Sequence, residues 1–108
     1  MEIVLHKSLT NFLQEKGNRD ILLYQVSYHS CGGPIKEVGA RFVEEKDRER
    51  INSAGYVTED YGYGKLYYLP GTLSFKKQLK FRLFQIMGKP WLKFSGAAPL
   101  YNSPLEAD

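Results

Sequence analysis

The chain has one cysteine among 108 residues, Cys31, and no Asn-x-Ser/Thr sequon. A single thiol cannot close an internal disulfide, so a disulfide scaffold is excluded and a reducing compartment fits. No apolar run is long enough to cross a bilayer, and Met1 to His6 lacks the charged start and long apolar centre of a secretory leader. The expectation is a cytoplasmic protein with no membrane span. Signatures of common enzymes are also missing. There is no Gly-x-x-x-x-Gly-Lys-Ser/Thr phosphate loop, and Gly62-Tyr63-Gly64-Lys65-Leu66-Tyr67 lacks the third glycine and the strand-then-helix setting of a dinucleotide fingerprint. Glu59 and Asp60, set among tyrosines, read as a polar loop rather than an acid/base pair, and hydrolase or transferase chemistry finds no support. Acidic residues are absent from Tyr61 to Leu105.

That last absence leaves a basic C-terminal half. Lys65, Lys76, Lys77, Lys80, Arg82, Lys89 and Lys93 fall within it, although the net charge of the whole chain is only +3. Such a face is either a solvated lysine surface or one that attracts an acidic protein, a nucleic acid or a phosphate-bearing ligand. Its cations are interleaved with Phe75, Phe81, Phe84, Trp91 and Phe94, and stacking platforms need exposed rings beside phosphate-binding cations. Alternation turns Phe81 and Phe94 inward and the lysines outward. The loop residues Tyr56, Tyr61 and Tyr63 are therefore the better candidates for exposed stacking.

The length suits one domain, and 43% hydrophobic with 14% aromatic residues is enough for a packed core. Ile3-Val4-Leu5 is a short β-compatible run. Ser8 is a good N-cap for a helix from Leu9 to about Lys16, with Leu9, Phe12 and Leu13 on one face, and Gly17-Asn18 ends it. Ile21 to His29 is the most strand-like stretch. Leu22, Tyr24, Val26 and Tyr28 form the core face, and Ile21, Leu23, Gln25, Ser27 and His29 the other. Cys31-Gly32-Gly33-Pro34 is a turn into a second strand, about Ile35 to Val43, whose Gly39-Ala40 marks a bulge or a close neighbour. Glu44 to Arg50 reads as a solvated turn or helical turn. Tyr56 to Gly64 reads as a loop suited to a mobile flap. Lys65 to Leu69 is a strand stopped by Pro70-Gly71. From Leu73 to Met87 strand and helix compete, and the alternation of Leu79, Phe81 and Leu83 favours strand for Leu79 to Phe84. Gly88-Lys89-Pro90 turns into a strand at Trp91 to Phe94. The fold class is α+β: a small β-rich domain over residues 1–96, with one short N-terminal helix packed on mixed sheets, and a loosely ordered tail over 97–108.

Chemistry concentrates at Tyr28-His29-Ser30-Cys31-Gly32-Gly33-Pro34. If the strand persists, His29 and Cys31 project to one side, and an imidazole beside a thiol stabilises the thiolate, the form that attacks electrophiles or binds soft metals. The other reading is a small buried cysteine beside a rim histidine. One thiolate, His29 and a distant His6 do not close a metal site in one chain, and no Cys-x-x-Cys adds to them, so metal binding calls for a second subunit or external thiols.

The order of elements, the cysteine-glycine turn, Gly64-Lys65-Leu66-Tyr67-Tyr68-Leu69-Pro70 and the closing Trp91-Leu92-Lys93-Phe94-Ser95-Gly96 resemble the HesB-like, or IscA-like, iron-sulphur biogenesis domain. The likeness is greater to its divergent branch with a Cys-Cys or selenocysteine-Cys motif before glycines. It spans roughly residues 2 to 96. It implies a compact β-rich fold with one helix on its sheets and a cysteine loop that receives a cluster or metal. Cys31 takes the place of the family's first cysteine, Ser30 stands where the branch has its Cys or selenocysteine, and Gly32 and Gly33 form the supporting loop. The C-terminal Cys-Gly-Cys of the carriers has no counterpart in Gly96-Ala97-Ala98-Pro99-Leu100-Tyr101. Two expectations follow. One is a non-catalytic HesB-like domain whose Cys31, with His29, holds an iron-sulphur cluster, metal or thiol ligand, shared between the subunits of a homodimer or with a protein partner. The other is a basic binding module, using Lys76, Lys77, Lys80, Arg82, Lys89 and Lys93, for nucleic acid or an acidic protein.

Overall fold

A computed structural model describes residues 2–53 and 55–100, apart from the side chain of Ser30. The chain runs β1 (Glu2–Leu5), α1 (Lys7–Lys16), β2 (Ile21–Ser30), β3 (Gly33–Phe42), α2 (Glu45–Ser53), β4 (Val57–Asp60), β5 (Lys65–Tyr68), β6 (Leu73–Ile86) and β7 (Lys89–Pro99). This is an α+β fold dominated by strands. Two mixed sheets form, one in the order β1-β6-β7 and one in the order β3-β2-β5-β4. In the first, β1 is parallel to β6 and β7 antiparallel to it. In the second, β2 is parallel to β5 and every other pair is antiparallel.

The alternation along β6 settles the competition between strand and helix. Leu79, Phe81 and Leu83 are buried while Lys80, Arg82 and Phe84 are exposed, a period of two carried through a strand that reaches Ile86. Across the core, Ile21, Leu23 and Leu66 face them, and Leu9 and Leu13 of α1 close the same cluster. Phe12 stacks on Phe42 at 5.9 Å between centroids. Burying Phe81 and its neighbours, each at 1% exposure or less for the largest, is the main stabilising term of the fold.

The core face of β2 is the opposite of the one expected. Ile21 and Leu23 enter the main cluster, and Gln25 follows them inward, its Nε2 donating to the Thr72 carbonyl at 3.2 Å. Leu22 is also buried, but on the side that α2 covers. There Arg41, opposite Leu22, pairs with Asp47, and Arg48 pairs with Asp20 at 2.8 Å and lies over the Tyr67 ring. Val26 and Tyr28, beyond the reach of α2, stay 41% and 43% exposed. Gly39 has a close neighbour and no bulge: a Cβ there would sit 2.3 Å from the ring of Tyr24 across the ladder.

Other expectations shift for local reasons. There are two helices among the described residues instead of one. The charged run is α2, which carries a single buried apolar residue, Ile51, and is held by its ion pairs and by the Asp47 carboxylate accepting the Glu44 N–H at 2.9 Å, half of a capping box. At α1 the cap is His6, whose ring accepts the Ser8 N–H at 3.1 Å, and the Ser8 hydroxyl instead accepts the Leu83 N–H at 3.1 Å. The segment expected to be a flap holds strand β4. Tyr61 is buried, with its hydroxyl bonded to the Arg19 carbonyl, and that burial pushes its pKa up. The final turn is Met87-Gly88, so Lys89 and Pro90 already belong to β7, where an edge strand tolerates a proline. Strand β7 also runs past residue 96, with Ala97, Ala98 and Pro99 paired to Phe75, Ser74 and Leu73. Residues 101–108 of the expected tail lie outside the described residues.

Candidate functional site

Among the described residues no helix is long and apolar enough to cross a membrane. Three surface features bring together residues with binding chemistry.

The first is the tip of the β2–β3 hairpin. The ladder runs without a break from Ile21 opposite Phe42 to Ser30 opposite Gly33, which leaves Cys31-Gly32 as the turn. Cys31 is exposed, as is His29, so the thiol is not a packing residue. His29 lies opposite Pro34 in the ladder. No hydrogen bond joins His29 to Cys31 among the described residues, and no group of three His, Cys, Asp or Glu side chains there could hold a metal ion. His6 is occupied at the α1 cap.

The second is the outer face of β1-β6-β7. Register and parity place Lys80 opposite Ser95, Arg82 opposite Lys93, Phe84 opposite Trp91 and Ile86 opposite Lys89, all on the side turned away from the core. Four of the six predicted cations, Lys80, Arg82, Lys89 and Lys93, thus share one face with two rings. Phe84 is 39% and Trp91 52% exposed. None of these four cations forms an ion pair among the described residues. Arg82 and Lys93 stand directly across from each other, a pairing that costs stability in a ladder. The acid these strands add to the face is Glu2, at its edge opposite Gln78. Val4, His6, Lys80, Arg82, Lys93 and Ser95 border a hollow of about 450 Å³ on this side. Lys76 and Lys77 lie apart, in the register break between Phe75 and Lys80.

The third is a cleft of about 940 Å³ between the β3 and β7 edges, which neighbour each other without a shared ladder. Arg19, Arg41, Arg48, Lys89, Trp91 and Phe94 contribute to its walls. Arg41 lies over the Tyr24 ring, and its buried Nε–H meets no acceptor among the described residues. Trp91 borders both this cleft and the outer sheet face.

The loop tyrosines expected to stack do not form a platform. Tyr61 is in the core, Tyr63 is half-buried and accepts from Gln14 at 3.0 Å, and Tyr56 is half-buried. Glu59 and Asp60 are spoken for by the Tyr68 hydroxyl and by Lys65 with the Gly62 N–H. The exposed pair that sequence reasoning passed over is Phe84 with Trp91. Parity could have found it, since Phe84 is an odd number of positions from Leu79, Phe81 and Leu83 and therefore sides with the lysines. In comparisons with known proteins, no family model, no curated protein and no solved structure matches this chain.

Proposed function

We propose that the chain is a non-catalytic binding domain for single-stranded nucleic acid, with the outer face of β1-β6-β7 as its contact surface. The observation that carries this reading is the exposed cross-strand pair Phe84–Trp91, set two positions along the ladder, on the same face, from the like-charged pair Arg82–Lys93. Alternate residues of a strand are about 6.6 Å apart, so one base can lie on a ring while a neighbouring phosphate meets a cation. Base–aromatic stacking contributes about 1–3 kcal/mol per base, and the cations add a salt-dependent term by releasing counterions. A polyanion also relieves the repulsion between Arg82 and Lys93. An acidic protein would satisfy the charges and leave the rings without a matching π-face.

Trp91 is the only tryptophan in the chain, so its fluorescence reports on this surface directly. Titration with an oligodeoxythymidylate is expected to quench it. Trp91→Phe would be followed by anisotropy of a labelled oligonucleotide, and Trp91→Ala should weaken binding roughly tenfold to a hundredfold. Each of Arg82→Gln and Lys93→Gln should lower the slope of log K against log salt by about 0.7. Absence of quenching and of polyanion retention near physiological salt would sink the reading. Equal binding of polyglutamate and oligonucleotide would give the face to an acidic protein.

A second reading belongs to the Cys31 hairpin, favoured by the exposure of its thiol at an apex. One thiolate and one imidazole do not fit a closed metal or cluster site in one chain. In the HesB-like reading Cys31 is a half-site that a second chain completes. Reconstitution with iron and sulphide, or titration with Zn²⁺, should then yield a dimer that Cys31→Ser abolishes; no binding, or binding indifferent to that substitution, removes this reading.

A further inference from the structure

The β6–β7 hairpin closes with Ile86 opposite Lys89, leaving Met87-Gly88 as a two-residue turn. Both turn residues have positive φ, +52° at Met87 and +81° at Gly88. This is the backbone of a type I′ turn, whose first position favours Asn, Asp or Gly. Met87 is the only residue other than glycine at positive φ among the described residues. A side chain held in that conformation normally repays its strain by packing or by bonding to the nearby backbone. Met87 is 98% exposed, so its side chain packs on nothing among the described residues. The residue breaks the local turn rule, and no side-chain packing among the described residues accounts for its choice.

Its surroundings indicate a role. Ile86 and Trp91 are each 52% exposed and Phe84 39%, so the apolar row of the outer face continues to the end of the ribbon. Lys89, beside the turn, stands opposite Ile86 on that face. We propose that Met87 is a wedge that packs against the base following the one stacked on Trp91, extending the stacking row beyond the end of the sheet. A flexible, polarizable thioether makes favourable contacts with aromatic rings and adapts to any base. Apolar side chains of this type are known to insert between neighbouring bases. The inference rests on the nucleic-acid reading of the face and assigns it one more contact, at a position defined by the turn.

The test is Met87→Asn, with Met87→Leu as the conservative variant. Asn is at home at positive φ, so Met87→Asn should raise the melting temperature. It should also weaken oligonucleotide binding about two- to tenfold, while Met87→Leu keeps most of the affinity. A residue that served only the fold would not move stability and affinity in opposite directions. If Met87→Asn binds as tightly as the parent while Trp91→Ala is weakened, the wedge is overturned and the face reading stands. If the parent binds no oligonucleotide, the face reading falls and takes the wedge with it. A parallel arm uses phosphatidylserine vesicles: loss of vesicle binding in Met87→Asn, with oligonucleotide binding unchanged, would assign the tip to a lipid surface and overturn the proposal.

Discussion

Phe81 and Phe84 lie three positions apart on β6 and meet opposite fates. Phe81 is 1% exposed among Leu79, Leu83 and the helix α1, whereas Phe84 is 39% exposed beside Trp91. The first ring is accounted for by the transfer of its surface out of water. The second gains less of that, and it shares its face with two cations placed across from each other against their mutual repulsion. The inner face of this sheet is therefore explained by folding, and the outer face is the one to which we assign a nucleic-acid partner.

The widest separation between the two faces should come from alanine substitutions. Phe81→Ala is expected to cost about 3–5 kcal/mol in chemical denaturation, and Phe84→Ala less than about 1 kcal/mol while weakening oligonucleotide binding. Comparable stability losses at the two positions would erase the distinction. Next in size is Gly96→Ala at the seam where β7 crosses the register break. Its φ is +98° and a Cβ would lie 2.1 Å from the Gln78 carbonyl oxygen, backbone that cannot swing away. A loss of about 2 kcal/mol is expected, visible as a lowered urea midpoint with an unchanged m-value, and a neutral outcome would mean that the two strands are not pressed together there. The smallest effect carries the opposite sign. Lys93→Thr removes one of two facing like charges and should raise stability by about 0.2–1 kcal/mol, more at low salt than at high salt, while it weakens oligonucleotide binding. A stability gain that ignores salt would argue against repulsion as its source.

How much of this the sequence disclosed depends on how each element is held. Strand β6 was legible because it is covered on one face only, so burial and parity coincide. Strand β2 misled because Ile21, Leu22 and Leu23 are apolar on both sides: the other sheet covers one face and α2 the other. The parity was then decided by Tyr24, Val26 and Tyr28, in the part that α2 does not reach. Helix α2 itself has almost no apolar stripe. It is fastened by Arg41–Asp47 and Arg48–Asp20, which pair residues from different elements and leave no periodic trace. The basic face was visible as a run of cations, but which cations share it depended on the register break after Phe75. That Trp91 stands across from Phe84 depended on the turn falling at Met87-Gly88, a position where the residue type argues against a turn.

The parallel pairing of β1 with β6 joins segments more than seventy residues apart in the chain. Glu2 lies opposite Gln78, the His6 N–H donates to the Phe81 carbonyl at 2.9 Å, and the Leu83 N–H donates to Ser8. The β2–β3 and β6–β7 hairpins need only local loops to close, while β1 must wait for a loop of more than seventy residues. During synthesis β1 therefore remains without its sheet partner until β6 has emerged. Val4 of β1 also borders the hollow beside Lys80, so the late docking of the N-terminal strand completes one wall of the outer face. The same event that completes this sheet would then mark the point in the life of the nascent chain at which the proposed binding surface first exists.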